Sequence, residues 1–167
     1  MSVTPATDAE ALLDDDRLTL SGLLFESAQG LAARFEHSLR DGTGLSSQWF
    51  EILLRLARSP GQRLRMADLA AQTRLTASGL TRAIDRLETQ GLVMRAACPS
   101  DRRGMFAGLT ASGLNRILIA VPAHLDDIDT NLVAPLTERE RAQLERILRK
   151  VRDHVSPDSA SGSEPDC

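Results

Sequence analysis

The residues best suited to chemistry lie on one face of a helix predicted between positions 76 and 90. Leu80, Ala83, Ile84 and Leu87 fall within about 100° of one another at 3.6 residues per turn. The opposite face carries only side chains that form hydrogen bonds: Ser78, Thr81, Arg82, Asp85 and Thr89. Arginine can bind guanine through two hydrogen bonds, and a carboxylate can accept one from cytosine. The pattern predicts a helix that reads base edges in the major groove of DNA.

A charged turn follows this helix. Gly91 ends the helix, because glycine readily adopts the left-handed conformation of a C-terminal cap. Two runs with β propensity, 92–97 and 105–109, flank a polar turn that carries Asp101, Arg102 and Arg103. A helix followed by an arginine-tipped hairpin is the plan of a winged helix-turn-helix. In that plan the helix enters the major groove and the tip reaches the backbone or the minor groove.

Three short segments of the sequence resemble a known protein family closely enough to be specific. They read DRLETQGLV (85–93), SDRRG (100–104) and LTASG (109–113), and upstream segments 45–61 and 66–76 extend the pattern. Over roughly residues 20–155, the chain resembles the MarR family of bacterial transcription regulators. The resemblance implies a homodimer, in which the first helix and the last two helices interlock. One departure is Arg65, which stands where the family has a serine or threonine cap.

The residues of the predicted helix are expected to make two kinds of DNA contact, to base edges and to phosphates. Ser78, Thr81 and Arg82 are expected at base edges, and Asp85 either accepts from cytosine or orients Arg82. Arg86 lies at the margin of the same face and is expected to hold a phosphate. The alternative is that this face is an ordinary solvated surface.

The wing supplies the remaining predicted contacts. Arg103 is expected in the minor groove, where narrow A·T-rich segments attract arginine, and Arg102 is expected at the backbone. The resemblance implies that Asp101 pairs with Arg103 or Arg95 and fixes its direction. A plain charged hairpin turn is the alternative.

The charge distribution agrees with DNA binding more closely than the net charge of −3 does. Residues 55–104 hold ten arginines and four acidic residues, so the predicted reading elements are basic. The remaining segments are acidic. Since local potential governs binding to DNA, this asymmetry argues against the alternative of a helical dimeric interaction module without DNA binding.

Effector and sensor sites are less clearly marked. The resemblance implies a small aromatic or phenolic effector in a cleft between the dimer helices and the winged lobe, where Arg34, His37 and Trp49 could bind it. Cys98 lies near several arginines, which can activate a thiol, so a redox-responsive regulator is an alternative; a passive cysteine is the other interpretation. The three histidines lack zinc-ligand spacing, and no catalytic motif is present. We therefore expect no enzyme activity, metal or cofactor.

The predicted fold is mainly α with a small antiparallel β-wing, flanked by long N- and C-terminal dimerisation helices. The predicted segments are a flexible N-terminus (1–13), an N-terminal dimerisation helix (14–45), a winged helix-turn-helix lobe (46–109), C-terminal dimerisation helices (110–155) and a disordered tail (156–167). No apolar run approaches the roughly 18 residues that span a bilayer, and the N-terminus lacks a signal sequence. We therefore expect a cytoplasmic protein without membrane contact.

The periodicity also predicts which residues point inward. Residues 46–58 should bury Trp49, Ile52, Leu53 and Leu56. The last helix should open with a capping box at Thr137 and Glu140 and turn Leu144, Ile147, Leu148 and Val151 inward. Pro122 should kink the preceding helix. Asp126, Asp127 and Asp129 are expected to form a solvated acidic patch.

Overall fold

The computed structural model describes residues 12–97 and 105–156. The elements in chain order are α1 (Asp16–Thr43), α2 (Ser47–Arg58), β1 (Arg63–Arg65), α3 (Met66–Thr73), α4 (Ala77–Thr89), β2 (Val93–Ala97), β3 (Met105–Leu109), α5 (Ala111–Ile128) and α6 (Glu138–Val155). A short 3₁₀ turn precedes β1, and a π-helical segment, Asp129–Val133, follows α5. The prediction of a mainly helical chain with a small antiparallel sheet is confirmed.

Local sequence fixes where most helices begin. The side chains of Ser46, Thr76 and Thr110 each accept a hydrogen bond from a backbone N–H in the first turn of the following helix, at 3.2, 3.1 and 3.0 Å. The predicted capping box at Thr137 is present. Helix α3 begins after Arg65 without a side-chain cap, as the departure at this position predicted. Each capping hydroxyl satisfies a helix donor that would otherwise lack a partner.

The three strands form one antiparallel sheet with β3 in the middle. Arg63 of β1 lies opposite Gly108, and Arg95 of β2 lies opposite Ala107. The sheet therefore contains the two predicted strands of the hairpin and, beside them, the short strand β1. Since both strands of the hairpin pair along their length, β2 has a fixed position beside the end of α4.

The core lies between α2, α3, α4, the sheet and the adjoining parts of α1 and α5. The four residues predicted to face inward on α4 are all buried. On α2 the prediction is wrong at one position, because Phe50 is 4% exposed and Trp49 is only partly buried. The two residues are adjacent and differ by about 100° around the helix, so periodicity alone did not separate them.

Large apolar faces remain uncovered on the terminal helices. Ile147, Leu148 and Val151 of α6 are 50, 42 and 44% exposed, although they were predicted to point inward. Leu20 and Leu23 of α1 are 72 and 58% exposed. Contiguous apolar surface of this kind marks an interaction site more often than a solvent-facing surface.

Helix α5 continues from Ala111 to Ile128 with Pro122 inside it. Proline lacks an N–H, so one backbone hydrogen bond is lost at this point. The change from α-helical to π-helical hydrogen bonding occurs later, at Asp129–Val133.

Candidate nucleic-acid interface and effector cavity

Helix α4 presents the predicted base-reading residues on one solvent-exposed face. Ser78, Thr81, Arg82 and Asp85 are exposed, and so is Arg86. The Thr81 hydroxyl donates to the Ala77 carbonyl oxygen at 2.8 Å, and the Ser78 hydroxyl lies 3.3 Å from that of Thr76. A hydroxyl that donates to its own helix keeps its acceptor capacity, so both side chains can still accept a hydrogen bond from an amino group at a base edge.

The two arginines of this face are available to a ligand. Within residues 12–97 and 105–156, the guanidinium groups of Arg82 and Arg86 form no hydrogen bond or ion pair. Arg86 also lines an open polar groove of about 480 Å³ together with Glu36, Arg40 and Trp49. Unpaired guanidinium groups that project from an exposed helix can bind guanine or phosphate without first breaking an internal contact.

Arg95 is placed differently from the other predicted DNA contacts. From β2, its guanidinium donates to Asp85 Oδ1 at 2.6 Å, to Glu88 Oε2 at 2.7 Å and to the Thr81 carbonyl oxygen at 3.3 Å. Its backbone N–H also donates to Glu88 Oε1 at 3.2 Å. Asp85 therefore pairs with Arg95, a partner that sequence reasoning did not assign to it. The cluster of Arg95, Asp85, Glu88 and Thr81, here called the strand brace, links the wing to α4.

Glu88 is a residue of this interface that sequence reasoning missed. It lies one turn after Asp85 on α4, so the two carboxylates stack along the helix and can share one guanidinium. Arg95 is only 23% exposed at its side chain, because it is enclosed by its partners. Four predicted residues of the wing, Cys98, Asp101, Arg102 and Arg103, lie outside the described residues.

The Leu-Thr-x-x-Gly segment joins the end of α4 to α5. The Thr110 hydroxyl donates to the Gly91 carbonyl oxygen at 2.7 Å and accepts from the Gly113 N–H at 3.0 Å. A Cβ atom at Gly113 would lie 2.0 Å from the Leu92 carbonyl oxygen. Glycine at 113 therefore allows α5 to contact the backbone directly, and this contact is here called the Gly113 junction.

A cavity of about 280 Å³ lies between α1, α2 and α5. Its walls are mainly apolar and come from Ala32, Phe35, Leu39, Ser47, Phe50, Glu51, Leu54 and His124. The His124 ring packs against Phe35 and Phe50, with ring centroids 4.9 and 4.5 Å apart. An apolar pocket with a few polar groups is typical of a site for a small ligand, and this volume suits one or two rings.

Three polar atoms in and beside this cavity are buried without a hydrogen-bond partner among the described residues: Ser47 Oγ, His124 Nδ1 and Asp127 Oδ2. The prediction that Asp127 belongs to a solvated patch is therefore wrong, whereas Asp126 and Asp129 are exposed. Burial lowers the pKa of His124, and the nearby carboxylates of Asp127 and Glu51 oppose that shift. The imidazole is thus mainly neutral at neutral pH and offers one donor and one acceptor.

None of the three predicted effector residues lines this cavity. His37 lies 3.2 Å from Asp41 with its side chain 80% exposed, and Arg34 is also exposed. Trp49 lines the polar groove beside Arg86 instead. The residues that do form the cavity come from three helices distant in sequence, so no local motif indicated them.

In the part of the chain that the structure describes, no group of three or more His, Cys, Asp or Glu side chains could hold a metal ion. No helix within those ranges is long and apolar enough to cross a membrane.

Comparison with known proteins identifies the family of this arrangement. The family model described as MarR family matches residues 43–104. The regulator MhqR of Bacillus subtilis is 30% identical over 108 residues, which cover 65% of this chain and 72% of that protein. The regulator HosA of Escherichia coli is 29% identical over 71% of this chain and 84% of that protein.

Solved structures agree over most of the chain. Sco3205 of Streptomyces coelicolor, a MarR family transcriptional regulator solved in complex with DNA, matches with a TM-score of 0.80 and 32% identity, covering 87% of this chain and 94% of that one. AbsC of the same organism matches with a TM-score of 0.75 and 32% identity, over 93% of this chain and 98% of that one. The chain belongs to the MarR family of transcriptional regulators.

Proposed function

We propose that this regulator binds a pseudo-palindromic duplex DNA site as a homodimer and represses transcription by occluding a promoter in the cytoplasm. The observation that carries the proposal is the exposed face of α4, where Arg82 and Arg86 are unpaired within the described residues and two hydroxyls lie beside them. Support also comes from Sco3205, whose structure contains DNA. Arg102 and Arg103 would extend the contact to the backbone and the minor groove.

The exposed apolar faces support the dimer. Apolar residues of α1 and α6 line a groove of about 690 Å³, and beyond it α1 exposes Leu18 and Phe25 and α6 exposes Val155. A second copy of the chain would cover these faces by a self-complementary interface. A twofold dimer would place the two α4 helices on half-sites about one helical turn of DNA apart.

The strand brace supports an indirect role for Arg95. The guanidinium of Arg95 already binds two carboxylates of α4. Arg95 would therefore orient the wing and offset negative charge on α4 rather than contact DNA. The pairing also offsets one of the two negative charges of Asp85 and Glu88 on a surface that approaches phosphates. Asp85 is thereby held beside the base-reading face, where it can still meet cytosine at its edge.

Glu88→Ala tests the brace because two arguments predict opposite signs. Removing a negative charge near DNA should tighten binding by simple electrostatics, whereas losing an Arg95 partner should loosen the wing. We expect the second effect to dominate, so that affinity falls several-fold and amide exchange in β2 accelerates. Titration of one operator at fixed salt measures the affinity. Asp153→Ala, an exposed carboxylate that pairs with Arg152 on α6, is the matched control. Tighter binding by Glu88→Ala alone would contradict the brace.

DNA affinity is expected to fall steeply with salt concentration. Contacts between arginine and phosphate release counterions, so a dimer that makes about 8 phosphate contacts should give a slope near −7 in a plot of log affinity against log salt. Fluorescence anisotropy with DNA from the intergenic region upstream of the gene measures this slope. Tight binding with a slope near zero would refute the electrostatic role of segment 55–104, and absence of binding would refute DNA recognition at this site.

The cavity between α1, α2 and α5 is the proposed effector site, in place of the residues expected from the sequence. It joins helices of the proposed dimer interface to a helix of the winged lobe. A ligand that enters it would alter the angle between these parts and thereby the spacing of the two α4 helices. We propose that occupancy releases the regulator from DNA, through a difference in ligand affinity between the two states.

A further inference from the structure

The charged groups in and beside the α1–α2–α5 cavity are mainly acidic. Glu51 lines the cavity, and the buried Asp127 oxygen lies close enough to influence His124. Of the described residues that line the cavity, none is an arginine or a lysine. The nearest partner of opposite charge is Arg55, which donates to Glu51 at 2.7 Å from the next turn of α2. Asp127 has no such partner at its buried oxygen.

The aromatic walls have the same preference. Phe35 and Phe50 enclose His124, and the faces of their rings carry partial negative charge that attracts cations. The neutral His124 ring offers an acceptor nitrogen, and Ser47 Oγ offers another lone pair. A ligand carboxylate in this space would contact Glu51 and lie near Asp127, while no arginine or lysine among the described lining residues could pair with it. Low polarity increases the cost of such an unpaired charge.

We propose that this cavity selects a planar aromatic molecule with a cationic nitrogen group and rejects aromatic carboxylates, a specificity that rests on the proposed role of the cavity as the effector site. The ring packs between the apolar walls from α1 and α2. The nitrogen group donates to Glu51 and to His124 Nδ1, which both belong to the cavity wall, and His124 Nδ1 thereby gains a partner that it lacks among the described residues. The buried Asp127 carboxylate beside His124 favours the positive charge of the ligand without contacting it.

Three isosteric probes test the charge preference: benzamidine, benzamide and benzoate. They share one ring and differ mainly in charge, so their ranking reports the electrostatics of the site. Calorimetric titration of the full-length protein should give an affinity for benzamidine at least about tenfold higher than for benzoate, with benzamide between them. Benzoate binding equal to or tighter than benzamidine, or no binding of any probe at millimolar concentration, would overturn the proposal.

Variants and spectroscopy locate the binding. Asp127→Asn and Glu51→Gln should each reduce the preference for benzamidine, whereas Asp126→Asn, the exposed neighbour on α5, should not. In nitrogen NMR spectra, benzamidine should shift the imidazole signals of His124, which reports on the cavity. The signals of the exposed His37 and His154 should stay unchanged. Equal effects of Asp126→Asn and Asp127→Asn, or shifts spread over all three histidines, would refute binding in this cavity.

DNA titration separates this proposal from the proposed function. If the ligand-free protein does not bind DNA, the DNA-binding role is refuted. The ranking of the three probes is measured independently and still tests the ligand class. If DNA binding is normal and the ranking is reversed, only the ligand class is wrong. Release of bound DNA by benzamidine, absent in Asp127→Asn and retained in Asp126→Asn, would link the two.

Discussion

Gly113→Ala is expected to destabilise the fold by about 3 kcal/mol, the upper range for overpacking a tight contact. The added Cβ would lie 2.0 Å from the Leu92 carbonyl oxygen and 2.9 Å from a methyl group of Leu109, so backbone must move to admit it. Alanine otherwise favours a helix by roughly 0.5–1 kcal/mol over glycine. The clash therefore acts against an intrinsic gain, and its sign is unambiguous.

Denaturant unfolding of the purified variant measures this change. Gly42→Ala is the matched control, since a Cβ at that helical position meets no atom within 4 Å. We expect the control to be neutral or slightly more stable than the parent protein. If Gly113→Ala is as stable as Gly42→Ala, the Gly113 junction does not require close backbone contact.

Arg82→Ala is expected to cost about 1–3 kcal/mol in each half-site and to relax the preference for one base pair there. Arg82 is exposed on α4 and free of partners within residues 12–97 and 105–156, so its removal breaks no internal contact. Loss of affinity can then be assigned to DNA rather than to the fold. A selection from randomised half-sites, followed by titration of the preferred and altered sites, measures both effects.

Two further variants separate base reading from phosphate binding. Arg82→Lys keeps the charge but loses the planar pair of donors, so it should lose specificity while keeping most non-specific affinity. Arg86→Ala should weaken all sequences about equally and lower the salt slope. Equal weakening of all sequences by Arg82→Ala would show that Arg82 contacts only the backbone.

The sequence was sufficient to predict features that depend on a single helix. The buried and exposed faces of α4 were predicted correctly, because the amphipathic pattern is strong and one apolar face packs on the core. The capping box at Thr137 was predicted from two residues three positions apart. Such features depend on local backbone geometry and need no knowledge of the rest of the fold.

Features that depend on packing between distant elements could not be predicted in this way. Arg95 reaches partners seven to fourteen positions away, and which carboxylate it binds depends on how β2 packs beside α4. The choice between Trp49 and Phe50 depends on where α1 and α5 lie. The cavity around His124 requires three helices at once, and for that reason the predicted effector residues are outside it.

The Gly113 junction also fixes one end of α5, so that a small rotation there moves the other end of the helix by several ångströms. Its backbone is fixed to the end of α4 by the Thr110 hydroxyl and by direct contact with Leu92, so the two helices move together at this point. Helix α5 has 18 residues, which at 1.5 Å per residue makes an arm of about 27 Å. A tilt of only about 7° about one end displaces the other by roughly 3.4 Å, the rise of one base pair. A small ligand beside His124, towards the far end of that helix, therefore needs to produce only a slight rotation to bring two half-sites out of register.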